Sequence, residues 1–214
     1  MKINVIKKTV DAPTWESLWR PRAPVIYILK PTVPTLSIWG PGQFSDYLNV
    51  EKVPKNFSLA RREWHSNSGV IFRDKNMLSI IVHYPAGTKG VGKAYSDSVF
   101  NVLAKHGITA TFSPHRKGSN DFVFEKDGKI KKFGAATDSR GILGSVLTLR
   151  FTAKKVNDIY KLDTDKFKRR GHIKHISDVV GGLKEINSKI GEKVVDEIIN
   201  QFASTLGWQL IWDM

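Results

Sequence analysis

Gly118-Ser119-Asn120-Asp121-Phe122-Val123-Phe124-Glu125-Lys126-Asp127-Gly128-Lys129-Ile130-Lys131-Lys132-Phe133-Gly134-Ala135-Ala136 reads as two strands joined by a tight turn. Asp-Gly between apolar runs is a strong hairpin signal, because both positions tolerate positive φ. Lysines beside a hairpin are ordinarily solvated. Lys131, however, precedes a Gly-x-Ala stretch where a ligand can approach the backbone closely, and this combination suits a carboxylate or a phosphate. Successive strand residues point to opposite faces, so a ligand-facing Lys131 leaves Lys132 facing away.

Outward from the hairpin the pattern is mixed. Upstream, Val25–Lys30, Thr35–Trp39, Gly69–Arg73 and Leu78–Tyr84 are short β-branched or aromatic runs between Pro and Gly, and they read as strands. Tyr95, Val99, Val102, Leu103 and His106 share one helical face, with Gly107 as the residue after the cap. Ile108–Phe112 is a further strand. Downstream, Ser145–Ala153 alternates, with Leu147, Leu149 and Phe151 opposing Thr148, Arg150 and Thr152. Val156–Tyr160 reads as a short helix and Ile173–Val180 as a weaker one. Ile190–Leu206 carries the fullest helical stripe, ended by Gly207. Strands and helices without regular βαβ alternation define an α+β class, organised as a single domain over residues 1–214.

The chain has 214 residues, no cysteine and a formal charge of +14. The missing thiols exclude a disulfide scaffold, a cysteine nucleophile and thiolate metal sites. No apolar run exceeds five residues (Val25 to Leu29), far short of the roughly 20 that cross a bilayer, and Lys7 and Lys8 break any leader-like stretch. A cytoplasmic protein with no membrane partner is the expectation. Residues 184–214 hold three Lys against five carboxylates, which leaves residues 1–183 at +16. Such a surface is compatible with plain solvation, an acidic protein partner, a phosphate-bearing ligand or nucleic acid.

Two other stretches have chemical potential. In His65-Ser66-Asn67-Ser68-Gly69-Val70-Ile71-Phe72-Arg73-Asp74, small residues run into a strand, and consecutive N–H groups in such a turn can cradle phosphate. An ordinary turn between strands accounts for the same pattern. His172 and His175 share a helical spacing, but Arg169, Arg170 and Lys174 beside them repel a cation, so no metal centre is assigned there.

In order, these motifs resemble the lipoate–protein ligase and biotin–protein ligase superfamily. His65 to Asp74, with Asn76, sits on its Arg-Arg-x-Ser-Gly-Gly-Gly-x-Val-Tyr/Phe-His-Asp loop, Asn120-Asp121 on its Asn-Asp, and Lys131, Gly134 and Ala136 on its Lys-x-x-Gly-x-Ala. Arg140 to Leu147 resembles its Gly-rich approach to a later strand. The resemblance implies an α+β domain related to class II aminoacyl-tRNA synthetases, with a twisted mixed sheet and helices. It implies two-step chemistry: a carboxylic acid and ATP give an acyl-adenylate, and the acyl group passes to a lysine of a carrier domain. It assigns Lys131 as the catalytic cation. Ser66, Asn67, Ser68, Gly69, Val70, Ile71, Phe72, Asn120, Asp121, Gly134 and Ala136 would bind the adenylate, and Asp121 would bind Mg²⁺. ATP and lipoate are the implied substrates, an acidic lipoyl-carrier domain the implied partner, and an accessory chain a further one.

The chain also departs from that pattern. Glu63 and Trp64 stand where the Arg pair belongs, with Arg61 and Arg62 two residues earlier. Asn67 and Ser68 replace two loop glycines. The His-His before Gly144-Ser145 is missing, the usual N-terminal helix motif is absent from residues 9–24, and no accessory domain follows residue 207. The absence of cysteine closes the octanoyltransferase branch, and the missing Gly-Arg-Gly-Arg type loop disfavours biotin ligation. A diverged or non-catalytic acyl- or nucleotide-binding homologue is the alternative, with a basic nucleic-acid module behind it.

Overall fold

The computed structural model describes residues 1–20, 22–39, 42–62, 69–114, 120–139, 141–162 and 175–213. Its strands are β1 (Lys2–Val10), β2 (Val25–Pro31), β3 (Thr35–Trp39), β4 (Ser58–Arg62), β5 (Gly69–Arg73), β6 (Met77–His83), β7 (Ala110–Phe112), β8 (Asp121–Lys126), β9 (Lys129–Ser139), β10 (Ile142–Thr148) and β11 (Gln209–Trp212). Its helices are α1 (Ala12–Ser17), α2 (Phe44–Tyr47), α3 (Val91–Lys105) and α4 (Lys193–Thr205). Eight strands form one mixed sheet in the order β11-β1-β2-β6-β10-β9-β8-β7, and β4-β3-β5 form a second, smaller sheet. The α+β expectation holds.

Helices α3 and α4 cover one face of the large sheet. Tyr95, Val99, Val102 and Leu103 of α3 and Val194, Ile198 and Phe202 of α4 share a core with Ile3, Ile26, Ile80, Phe122, Phe124, Phe133 and Leu143. Gly107, at φ 73°, ends α3: its N–H bonds Ala104 O, and Ile108 N–H reaches back to Leu103 O at 2.9 Å. The small sheet and α1 lie over the other face. Val10, Trp15, Leu18, Val25, Tyr27, Leu29 and Ile81 form one apolar cluster there, and Leu36, Phe72, Met77, Val156 and Ile159 form another. Among the described residues no helix is long and apolar enough to cross a membrane.

Several sequence expectations are corrected. The strand read as Ser145–Ala153 begins earlier, at Ile142, and ends at Thr148. Beyond it Leu149 N–H turns to Asn76 O, and Arg150 packs on Gly182. Leu149 stays in the helix-side core while Phe151 joins the opposite one. Val156–Tyr160 is a turn rather than a helix, and Ile173–Val180 yields a short 3-10 turn at Ile176–Asp178 within its described part. Strands β1, β4 and β11 and helix α1 have no counterpart in the sequence reading.

The hairpin itself carries a bulge. Asp121 pairs with Ala135 and Phe122 with Gly134, but Val123 pairs with Lys132 and Phe124 with Lys131, so Phe133 is the extra residue. Phe133 is buried against Phe122 and Phe124, at ring separations of 6.1 and 5.9 Å. Gly134 faces the same core, where a Cβ would meet Val146 O at 2.6 Å and Leu147 beside it. Two consecutive residues thus turn inward. Phe133→Ala should lower unfolding stability by about 3–5 kcal/mol in a denaturant titration, the usual cost of deleting a buried aromatic ring. A loss below about 1 kcal/mol would mean that the bulge is not anchored by this ring.

Candidate functional site

The face of the large sheet turned toward the small sheet carries the polar groups. Along β6 it presents Ser79, Ile81 and His83, along β10 Gly144 and Val146, and along β9 Ala135 and Thr137, as the register dictates. Asp121 and Lys132 extend this strip through the bulge, and Lys132 Nζ donates to Asp121 Oδ1 at 2.6 Å. Asn120 Nδ2 donates to Thr137 Oγ1 at 3.1 Å. A carboxylate, a primary amine, an amide and a hydroxyl therefore line one end of this face.

Lys131 goes elsewhere. It lies opposite Phe124, on the other side of the strand, and its Nζ donates to Glu185 Oε2 at 2.8 Å. Glu185 is held in turn by Gly182 N–H at 2.8 Å. Lys131 lines an open cleft of about 290 Å³ with Arg150, Phe151, Ser177, Lys184 and Glu185. The expectation that Lys131 joins Asn120-Asp121 while Lys132 stands apart is thus reversed in the geometry. The cause is the bulge at Phe133, which changes which lysine shares the Asp121 face.

The other expected residues divide as well. Ser66, Asn67 and Ser68 lie outside the described residues, and Gly69 opens β5 opposite Trp39. Val70 and Phe72 pack into the apolar cluster beneath the small sheet, with Phe72 stacked on Phe57 at 5.7 Å. Ile71 falls on the opposite side of β5, the side of Arg73. Gly134 and Ala136 face the helices, not the polar strip. Arg61, of the displaced pair, donates to Gln43 Oε1 at 3.0 Å.

Sequence reasoning missed the aromatic cover. Asp11 caps α1 by accepting Thr14 N–H at 2.8 Å, and its hydrogen bonds from Thr14 hold the carboxyl below its usual range. The helix sets Trp15 and, just beyond it, Trp19 over the sheet, edge to face with centroids 5.5 Å apart. Arg73, only 4% exposed, stacks on the Trp15 ring at 3.7 Å and donates to Ser37 Oγ at 2.6 Å. Trp19 lies directly on Gly144, where any Cβ would overlap its ring. Gly144→Ala should therefore force Trp19 out of place and reduce stability by about 1–3 kcal/mol. An unchanged denaturation midpoint together with an unchanged tryptophan emission spectrum would contradict this packing.

His83 ties the segment after α1 to the sheet. Its Nε2–H donates to Leu18 O at 2.8 Å, and its buried Nδ1 has no hydrogen-bond partner among the described residues. Burial above all, and then the charge of Arg22, depress its pKa, against an opposing contribution from the Leu18 carbonyl. The folded state thus excludes a proton that the unfolded state takes up near pH 6.5, and stability is lost as the pH falls below that value. In urea titrations, the advantage of the wild type over His83→Gln should narrow between about pH 7.5 and pH 5.5. A constant difference would show that His83 does not titrate in the unfolded state alone.

Among the described residues no three His, Asp or Glu side chains gather into a metal site. A single carboxylate at Asp121 is nevertheless a donor set that suits Mg²⁺ accompanied by phosphates, which usually supply most of its oxygen ligands.

No family model matches the sequence, and no curated protein does. Solved structures do match the fold. A bipartite lipoate protein ligase from Thermoplasma acidophilum, from work on an archaeal lipoylation system with its E2 lipoyl domain, aligns with 15% identity over 99% of this chain and 86% of that one, at a TM-score of 0.71. A lipoate protein ligase candidate from the same organism, with bound lipoic acid, aligns with 16% identity over 100% and 89% of the two chains at 0.71. A lipoate-protein ligase A bound with ATP aligns with 16% identity over 100% and 89% at 0.70. The chain therefore has the fold shared by lipoate and biotin protein ligases.

Proposed function

We propose that the protein is an ATP-dependent ligase that forms a lipoyl, or related acyl, adenylate and transfers the acyl group to a lysine of an acceptor domain. The carrying observation is the Asn120-Asp121 pair beside an amine on the sheet face toward the small sheet, in a fold whose solved members bind lipoic acid and ATP. A carboxylate oxygen attacks the α-phosphorus and pyrophosphate leaves; an acceptor lysine amine then attacks the acyl carbonyl and AMP leaves. Both partners of the first step are anionic, so the protein's contribution is to fix them in line and to place a cation between them. Asn120 and Asp121 would face the triphosphate. Mg²⁺, held by Asp121 and the phosphates, would neutralise charge there.

The surplus of basic residues over 1–183 suits an acidic carrier domain, since opposite charge speeds encounter. A lipoyl domain accompanies one of the similar ligases, which supports the same class of partner here. A second reading, a binding homologue without chemistry, draws on the Trp19 ring resting on Gly144, which fills part of the face.

The two readings separate in an exchange experiment. With lipoate or octanoate, ATP and Mg²⁺, the protein should move labelled pyrophosphate into ATP in an acid-dependent way. Binding of a lipoyl sulfamoyl-adenosine without any exchange would select the non-catalytic homologue.

A further inference from the structure

We infer that Lys132, and not Lys131, is the substrate-facing cation of this site. The inference rests on the ligase reading and assigns a role within it. Strand parity decides which lysine can reach a ligand lying against Asn120 and Asp121. Above the bulge, Ala135 is opposite Asp121 and shares its face. An unbulged strand would place Phe133 on that same face, Lys132 on the helix side and Lys131 with Asp121. In this chain Phe133 is 1% exposed in the helix-side core, immediately next to Gly134, which faces the same core. The extra residue shifts every position below it by one. Lys132 thereby becomes the neighbour of Val123 and Asp121, and Lys131 that of Phe124.

The surroundings of the two amines agree with this assignment. Lys131 has a side chain 17% exposed and is paired with Glu185, which is itself fixed by Gly182 N–H, and its stem lies against Gly181. These contacts fasten the 181–185 turn to the edge of the sheet. The Lys132 side chain is more open, at 37%, and its carboxylate partner Asp121 is one of the two residues proposed to face the triphosphate. Its backbone is clamped on the side of β9 that β10 no longer covers below Gly134: Lys132 N–H bonds Val179 O at 2.8 Å, and Lys132 O accepts from Gly181 N–H at 2.9 Å. The strand beneath the amine is thus fixed while the amine itself remains within reach of a ligand.

The test compares Lys131→Ala and Lys132→Ala, with Lys132→Met as a variant that keeps the aliphatic stem and Lys132→Arg as the conservative replacement. The probe is lipoyl sulfamoyl-adenosine, measured by titration calorimetry, together with pyrophosphate exchange; thermal melts confirm folding. Loss of a charge-assisted hydrogen bond should weaken binding by roughly 10- to 100-fold in Lys132→Ala and Lys132→Met. Exchange should fall by roughly 100- to 1,000-fold. Lys132→Arg should recover part of the binding. Lys131→Ala should lose less of both than Lys132→Ala and show instead a lower melting temperature. A larger loss in Lys131→Ala than in Lys132→Ala overturns the assignment and leaves the ligase reading standing. A wild-type protein that neither binds the analogue nor catalyses exchange overturns both.

Discussion

Two adjacent residues of one strand, Phe133 and Gly134, both turn toward the helices, and the layout of the polar face depends on that constraint. A benzyl ring at position 133 fits between Phe122 and Phe124, where water is excluded. Gly134 fits because Val146 O and the Leu147 side chain leave no room for a Cβ. An alternating strand cannot satisfy both at once, so the strand bulges. Burial of one aromatic ring, a contribution of about 3 kcal/mol or more, therefore decides which of two neighbouring lysines stands beside Asp121.

The two faces of the large sheet then divide the work. The helix face is almost wholly apolar and supplies the main core through α3 and α4. The opposite face mixes apolar residues with Ser79, His83, Thr137, Asp121 and Lys132, and among the described residues it is covered by α1, the small sheet, α2 with the segment after it, and the turns after β10. A six-residue helix carrying Trp15, with Trp19 in the turn just beyond it, is a thin cover. It is held by the Asp11 cap, by Arg73 stacked on Trp15 and by the His83 bond to Leu18 O. The Trp19 ring rests on Gly144, so anything that reached this end of the polar face would have to displace that ring.

The scaffold was largely legible in the sequence and the face assignments were not. The hairpin announced itself through Asp127-Gly128, and α3 and α4 through their 3.6-residue stripes, because these signals are local. β1 was hidden because Lys7 and Lys8 interrupt its pattern: beyond Val5 its side chains are half-buried or exposed until Val10. β10 was overextended because Leu149 continues the alternation after the chain has left the sheet to bond Asn76. The resemblance singles out Asn120-Asp121 and assigns Lys131 by its place in Lys-x-x-Gly-x-Ala, a placement that takes no account of the extra residue at Phe133. Nothing in Lys-Lys-Phe-Gly marks a bulge; only the knowledge that Phe133 is buried on the Gly134 side does. The roles of Trp15, Trp19, Arg73 and His83 were not legible because they lie in contacts between segments far apart in sequence.

The measurement that bears most directly on this account is a crystal structure of the protein with lipoyl sulfamoyl-adenosine. The account predicts the analogue between the two sheets, its sulfamoyl group within hydrogen-bond distance of Lys132 Nζ and near Asn120 and Asp121, with the Lys131–Glu185 pair intact. An analogue seated in the cleft of Arg150 and Lys184, with Lys131 Nζ turned from Glu185 onto the sulfamoyl group, would contradict it.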